Sequence, residues 1–316
     1  MTTPIKGVFL SETLDLNAMY GRHILAQAQD VVCQGPEMVT DPLEVRYALC
    51  WKPAPGAFDA YPNLELAMSI GAGVDALLAH PGLRPEISVA RVRDPEQAEL
   101  MAGFAAHEVL HHERAFGVME DAAARCDWIP VEVRRPSSAS VAILGYGTMG
   151  QAIARVQSTL GYRVRVASRA PQRAPLERVT YYSGPEAVND AAEGAKYLIN
   201  VLPLTEATEN VLCSGLFERL SLGGYLVQIG RGEHLVDADL LDALDGGHLA
   251  GASLDVFRQE PLPRDHAYWR HPKIRVSPHV ASYSSPEVVA AQLIEAARAL
   301  ARGQRSEFVV DRARGY

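Results

Sequence analysis

Residues 141–169 read VAILGYGTMGQAIARVQSTLGYRVRVASR, and this stretch decides the fold. Gly145, Gly147 and Gly150 follow directly on an apolar run of strand length and open a segment of helical period. A second apolar run, RVRVAS, comes about twenty residues after the turn. Strand, tight turn, helix and strand in that order make a dinucleotide-binding unit. The first two glycines allow the turn and the approach of a pyrophosphate to the backbone, and the third lets the helix pack closely on the strand. The N–H groups at the helix start, those of Thr148 and Met149 included, then meet the phosphates together with the positive end of the helix dipole.

The end of the second strand selects between dinucleotides. An NAD site places Asp or Glu there for the ribose hydroxyls, whereas this chain reads Ala167-Ser168-Arg169, with Arg173 further on. Ser168 can hydrogen-bond a 2′-phosphate and the Arg169 guanidinium can pair with it, so NADP(H) is preferred and NAD(H) is the alternative. The blander reading of Arg169 is a solvated loop residue.

Outward from this unit, short runs rich in Val, Ile and Leu alternate with helix-period segments along the whole chain, which predicts parallel sheets covered by helices. One series of strands comprises IKGVFL, VRYALCW, LELAMSI and EISVARV; a second, from residue 140, comprises SVAILGYG, RVRVAS, AKYLINVL, GYLVQIG, LAGASLDVF and IRVSPHV. With 316 residues available, two α/β domains are expected. Between the two series, Pro95 to Arg125 predicts one long helix with a stripe of Met101, Ala105, Val109, His112, Phe116 and Met119, and a neighbouring stripe of Leu100, Phe104, His107 and His111. PEVVAAQLIEAARALARG predicts a last helix, opened by Pro286 after two serines, ended by Gly303, and folding back on the first domain.

Composition excludes several classes. An apolar share of 48% with 22% charged residues is that of a globular protein, not a disordered one. A net charge of -8 with scattered basic residues argues against a nucleic-acid partner, which needs a concentrated basic face. Cys33, Cys50, Cys126 and Cys213 form no CxxC pair, which fits inert thiols in a reducing cytoplasm. The opening MTTPIKGVFLSETLDL is not a signal peptide, and no apolar run is long enough to span a membrane. One motif points elsewhere. His107, Glu108 and His111 in HEVLH have the spacing of a zinc peptidase helix, but the downstream positions for a third ligand hold Arg114 and Gly117. Packing or interface histidines are expected, and no metal.

Taken in order, SIGAGVDALL, GYGTMG, LPLTEATENVL, IGRGEHLVD, GASLDVFRQEPLP, SPHVAS and VDRARGY resemble the D-isomer-specific 2-hydroxyacid dehydrogenases over nearly the whole chain. The resemblance implies a Rossmann nucleotide-binding domain (104–284) inserted into a flavodoxin-like substrate domain (1–103 and 285–316), both doubly wound parallel sheets, and a homodimer built partly on the HEVLH helix. It implies NADPH-dependent reduction of a small 2-oxoacid, such as glyoxylate or hydroxypyruvate, to the 2-hydroxyacid.

Arg231 matches the family arginine that clamps the substrate carboxylate and polarises its carbonyl, a task suited to a rigid planar fork. His279 matches the general acid, and Glu260 the carboxylate that holds the imidazole by its other nitrogen. The loop Gly71-Ala72-Gly73-Val74 resembles the one whose amides, with Ala72 and Gly73 at its centre, hold the carboxylate. Trp51 matches a tryptophan that faces the substrate in the branch acting on small oxoacids, and would favour small acids; a core tryptophan is the alternative. Leu202 and Pro203 resemble residues passed by the adenosine half of the cofactor, and Ile229 and Asp255 match positions near the nicotinamide, where Asp255 could accept from the carboxamide. Two departures are visible: the acidic residue of NAD-using members is missing, and Tyr283 and Ser284, just past the histidine, lie where members differ, leaving substrate choice open.

Other readings stay in view. The chain could act on another 2-oxoacid with NADH. It could be a nucleotide-sensing binding protein, because the family also includes corepressors and fold does not fix function. The 3-hydroxyacid dehydrogenases also often carry Met before the last glycine of the turn, but there the turn lies near the N-terminus and a lysine serves as the acid.

Overall fold

The computed structural model describes residues 4–169 and 176–312, so Arg173 and the last four residues of VDRARGY lie outside the described residues. Contacts divide the chain into unit 1, Met1–Asp94 with Tyr283–Tyr316, and unit 2, Pro95–Ser282.

Unit 1 is built on β1 (Ile5–Ser11), α1 (Arg22–Gln27), β2 (Val31–Gln34), β3 (Val45–Trp51), β4 (Leu66–Ser69), α2 (Asp75–Leu78) and β5 (Ser88–Ala90). Its sheet runs β2-β1-β3-β4-β5 with every pair parallel, the doubly wound flavodoxin order. All four residues of β4 are buried, as expected of an inner parallel strand covered on both faces. β2 was not foreseen. It is an edge strand of four residues with only Val31 buried, too short and too exposed to show a period.

Unit 2 follows with α3 (Pro95–Glu113), α4 (Phe116–Ala124), β6 (Ser140–Leu144), α5 (Thr148–Thr159), β7 (Arg163–Ser168), β8 (Val179–Ser183), α6 (Ala187–Ala192), β9 (Tyr197–Asn200), α7 (Ser214–Phe217), β10 (Gly224–Gln228), α8 (Asp237–Asp245), β11 (Leu249–Leu254) and β12 (Ile274–Val276). Its parallel sheet runs β12-β11-β10-β9-β6-β7-β8. Counted from β6, that is the Rossmann order, with the direction of winding reversing between β6 and β9. Every residue of β6, β9 and β10 is buried, while the unforeseen β8 has none and closes the sheet as an edge.

The last helix, α9 (Pro286–Ala301), belongs to unit 1. Ser285 caps it, accepting the Val288 N–H at 3.2 Å, and Gly303 beyond it holds a φ of +64°. Val289, Ala290, Leu293 and Ala297 of α9 pack with Phe9, Tyr47, Leu49 and Met68 of the sheet. Beyond the helix, Val310 N–H donates to Val89 O at 2.8 Å, covering the β5 edge.

The expected single helix from Pro95 to Arg125 is broken at Ala115, which adopts a left-handed φ of +50° between α3 and α4. Its inner face is made of small side chains, Ala98, Ala102, Ala105 and Val109, set against Ile153 and Ala154 of α5. The whole of α3 falls in unit 2. Leu100, His107 and Phe116 of the expected stripes are exposed.

HEVLH reads differently in three dimensions. Glu108 is buried and accepts from Ser253 Oγ and, at 2.9 Å, from Arg275 Nε; Tyr225 and Ser253 share a 2.7 Å hydroxyl pair behind it. The carboxylate thus anchors α3 to β10, β11 and β12. His112 stacks on Tyr225 with ring centroids 4.3 Å apart, and burial, aided by the Lys196 charge, pushes its pKa down to about 4. Among the described residues no three metal-binding side chains converge, and no helix is long and apolar enough to cross a membrane. Replacing Glu108 by Ala is expected to lower the unfolding free energy in urea by about 1–3 kcal/mol, because it removes the acceptor of the buried Ser253 hydroxyl and of Arg275. A chelator should leave the wild-type urea midpoint unchanged; a chelator-sensitive midpoint would return the motif to metal binding.

Candidate active site

The glycine turn leaves β6 at the point where the winding of the sheet reverses, the usual place for a ligand on such a sheet. Gly145 has a φ of +103°, and its N–H donates to Ala167 O at 3.1 Å. A Cβ at Gly150 would lie 2.0 Å from Gly145 O, so only glycine lets α5 start this close to its strand. At Gly147 a Cβ would meet nothing within 4 Å, and no side chain caps the helix there. The start of α5 thus offers backbone N–H groups uncapped by any side chain, the donor set that a pyrophosphate uses. Ser168 ends β7 and Arg169 follows it, on the strand next to the turn. Leu202 and Pro203 leave β9 on the other side, and Ile229, buried, leaves β10. These residues fit a dinucleotide.

The next three strands carry the remaining candidates at their C-terminal ends. After β12, His279 takes a left-handed φ of +55°, uncommon for a side chain larger than glycine and a sign of local strain. The cause is Asp255, directly after β11 and 1% exposed. Its carboxylate accepts the Ser277 hydroxyl at 2.6 Å and the N–H groups of Val280 and Ala281, each at 2.9 Å, gripping the chain on both sides of the histidine. The carboxylate of Asp255, expected to accept from a cofactor carboxamide, also holds the His279 turn. Glu260 closes on the imidazole, with Oε2 at 2.9 Å and Oε1 at 3.1 Å from Nδ1, and is itself held by the Phe257 N–H at 3.1 Å. The pair is partly buried.

Arg231 follows β10. Its Nη1 donates to Gly230 O at 2.7 Å. Gly232 behind it touches the Phe257–Arg258 peptide so closely that a Cβ would come within 1.9 Å. Arg258 reinforces this contact, donating from Nε and Nη2 to Leu235 O at 3.0 and 2.6 Å. The arginine loop and the Glu260 loop are thereby fastened together, so Arg231, Glu260 and His279 share one edge of one sheet.

In unit 1, Trp51 ends β3 and is half-buried, its Cζ3 only 3.7 Å from where a Cβ on Gly71 would lie. It also packs against the hydrophobic core of unit 1. Ser69 shapes the loop after β4: its hydroxyl accepts the Gly71 N–H at 3.2 Å and donates to Gly73 O at 2.9 Å. Gly71 is thus used internally, and the amides of Ala72 and Gly73 remain as the candidates for an anion. Lys52, not singled out in the sequence, has a φ of +42° and places its Nζ 6.0 Å from the Trp51 ring centroid. Also missed were Asn200, Gln228 and His234, all fully buried. Asn200 and Gln228 had one signal, a polar residue closing an otherwise apolar strand in YLIN and GYLVQ, and His234 had none.

Residues 107–281 match the family described as D-isomer specific 2-hydroxyacid dehydrogenase, NAD binding domain. A glyoxylate/hydroxypyruvate reductase A from Serratia proteamaculans is 36% identical over 275 residues, covering 85% of this chain and 87% of that protein. The protein of the same name from Yersinia enterocolitica is 34% identical with the same coverage. Among solved structures, a D-isomer specific 2-hydroxyacid dehydrogenase from Xanthobacter autotrophicus Py2 in complex with NADPH and MES superposes with a TM-score of 0.91, at 34% identity and full coverage of both chains. The NADPH-dependent glyoxylate/hydroxypyruvate reductase of Sinorhizobium meliloti, in complex with NADP and sulfate, gives 0.89 at 30% identity, again over both whole chains. With the family match lying inside unit 2 and relatives aligned across both units, the chain belongs to the D-isomer-specific 2-hydroxyacid dehydrogenases.

Proposed function

We propose that this enzyme reduces small 2-oxoacids, glyoxylate and hydroxypyruvate foremost, to 2-hydroxyacids at the expense of NADPH. The observation that carries the reading is the His279–Glu260 pair, set in a strained turn on the same sheet edge as Arg231. NADPH, when bound, supplies hydride. The protein's own part is to hold the carbonyl and to deliver a proton.

Glu260 accepts the hydrogen bond from Nδ1–H of His279, and the Nε2–H of the imidazolium, directed outward, is the proton donor to the carbonyl oxygen, leaving the neutral Nδ1–H ring. Arg231 binds the substrate carboxylate and polarises the carbonyl, its two rows of N–H groups matching two oxygens in one plane. The amides of Ala72 and Gly73 are proposed to bind a carboxylate, with Trp51 beside that loop favouring short acids. For the cofactor, Gly145, Gly147, Thr148, Met149 and Gly150 take the pyrophosphate, Ser168 and Arg169 the 2′-phosphate, and Leu202, Pro203 and Ile229 line the remainder. Preference for NADPH rests on Ser168-Arg169 standing where an acid would select NAD, and on relatives crystallised with NADPH and NADP. The alternatives, another oxoacid with NADH or a nucleotide sensor without turnover, are tested by initial rates with glyoxylate, hydroxypyruvate, pyruvate and longer oxoacids with each cofactor.

We also infer a homodimer. From α4 onward Phe116, Val118, Trp128, Ile129 and Val133 are exposed, Trp128 at 98%, a run of apolar side chains that a second copy would cover.

His279→Ala should lower kcat on the order of 10²–10⁴-fold with the NADPH dissociation constant unchanged, and near-normal turnover would remove the histidine from the chemistry. Arg169→Glu should weaken NADPH much more than NADH, and equal losses in cofactor titrations would dismiss the 2′-phosphate contact. In light scattering the wild type should show twice the chain mass and Trp128→Asp a shift toward one chain mass; a monomeric wild type would refute the dimer.

A further inference from the structure

Three side chains that the catalytic scheme does not use lie under the site at zero exposure: Asn200 at the end of β9, Gln228 at the end of β10, and His234 in the short turn after Arg231. Their hydrogen bonds assign every atom. Asn200 Oδ1 accepts the Leu202 N–H at 3.3 Å, so its NH₂ donates to Gln228 Oε1 at 2.8 Å and to His234 Nδ1 at 2.9 Å. Gln228 Oε1 also accepts the Gly230 N–H at 3.2 Å, and its Nε2 donates to Arg231 O at 2.7 Å. The Arg231 N–H donates to His234 Nδ1 at 3.1 Å. With two donors directed at Nδ1, the ring carries its hydrogen on Nε2 and presents it to Pro203 O at 3.3 Å.

Five main-chain groups of irregular segments thus receive bonds from three side chains, both polar groups of Arg231 among them; Pro203 O also accepts the Thr208 hydroxyl at 2.7 Å, and Arg231 O the His234 N–H at 3.1 Å. Gly230 is part of the same design, because a Cβ there would meet Asn200 Nδ2 at 2.8 Å and His234 Nδ1 at 3.0 Å. Strand pairing cannot serve these groups, since they lie beyond the strand ends, and in a dry interior a loop left unsatisfied there would have no defined position. A neutral imidazole accepts on one edge and donates on the other within one rigid ring.

We propose that Asn200, Gln228 and His234 are positioning residues that tie the Leu202–Pro203 loop to the main chain of Arg231, with the neutral Nε2–H form of His234 as the joint. This rests on the reading of Arg231 as the substrate-binding arginine and of Leu202–Pro203 as part of the cofactor site. The two edges of the ring then serve two subsites, and substitutions that keep one edge each separate them. His234→Gln keeps a donor where Nε2 stood and removes the acceptor for Arg231; His234→Asn keeps the acceptor and gives up the reach to Pro203.

The test measures KM and kcat for glyoxylate, the dissociation constant of NADPH by fluorescence, and the thermal midpoint of each variant. His234→Gln is expected to raise KM and lower kcat, together on the order of 10–100-fold in kcat/KM, with NADPH binding near wild type. His234→Asn is expected to weaken NADPH while leaving the glyoxylate KM close to normal. Equal losses in both variants, tracking the thermal midpoint with unchanged KM values, would mean scaffolding alone and overturn the proposal. Arg231→Lys runs alongside: normal kinetics there would overturn the site reading and this proposal with it, whereas an impaired Arg231→Lys beside an unimpaired His234→Gln would overturn only the network. Should the His234 variants fail to fold, ¹⁵N spectra of the wild-type imidazole decide, a protonated Nε2 with bare Nδ1 supporting the joint and the opposite tautomer or an imidazolium refuting it.

Discussion

One buried carboxylate sets the conditions for the rest. Asp255, removed from water after β11, accepts three hydrogen bonds from Ser277, Val280 and Ala281. Charge-assisted bonds of that kind are among the stronger contacts available in a protein, and three of them can hold a backbone in a conformation it would otherwise leave. That conformation is the left-handed turn at His279, and only from that turn does the imidazole meet Glu260 at 2.9 Å. The ordering therefore runs from Asp255 to the turn, from the turn to the ring, and from the ring to an Nε2 held in one direction. Glu260 is fixed independently by the Phe257 N–H, so neither partner of the pair depends on the other for its place.

The sheet explains why so many functional groups meet along one edge. Parallel strands all end on the same side, and loops that leave those ends are free of ladder pairing and so available for chemistry. Between β6 and β9 the winding reverses, and β10, β11 and β12 bring Arg231, Asp255 and His279 in strand order beside that point. Such loops need their own internal bonds to be rigid. Asn200, Gln228 and His234 supply them under Arg231, Arg258 fastens the arginine loop to the Glu260 loop, and Ser69 does the same for Gly71 and Gly73 in unit 1.

Central strands were readable from sequence because burial on both faces leaves an unbroken apolar run, as in SVAIL and GYLVQ. The edges β2 and β8 were not, since VVCQ and VTYYS are half-exposed and carry little pattern. The glycine turn was readable because a steric demand leaves only one residue type possible at Gly150. Glu260 and His279 were picked out by the order of motifs, not by any local property. Hydrogen-bond partners across strands have no sequence signature, which is why the role of Asp255 in gripping the histidine turn and the whole Asn200–Gln228–His234 network had to come from coordinates. HEVLH shows the converse: a clear local motif whose glutamate is committed to Ser253 and Arg275, residues remote in sequence.

The central claim is that Arg231 and His279 act on one substrate from the edge that also holds the cofactor. It is tested most directly by a crystal structure of the enzyme with NADPH and oxalate, a carboxylate that resembles the substrate and cannot be reduced. The account predicts His279 Nε2 and the Arg231 guanidinium each within about 3 Å of an oxalate oxygen, with the glycine turn against the pyrophosphate. Oxalate bound elsewhere, or either side chain turned away from it, would contradict the account.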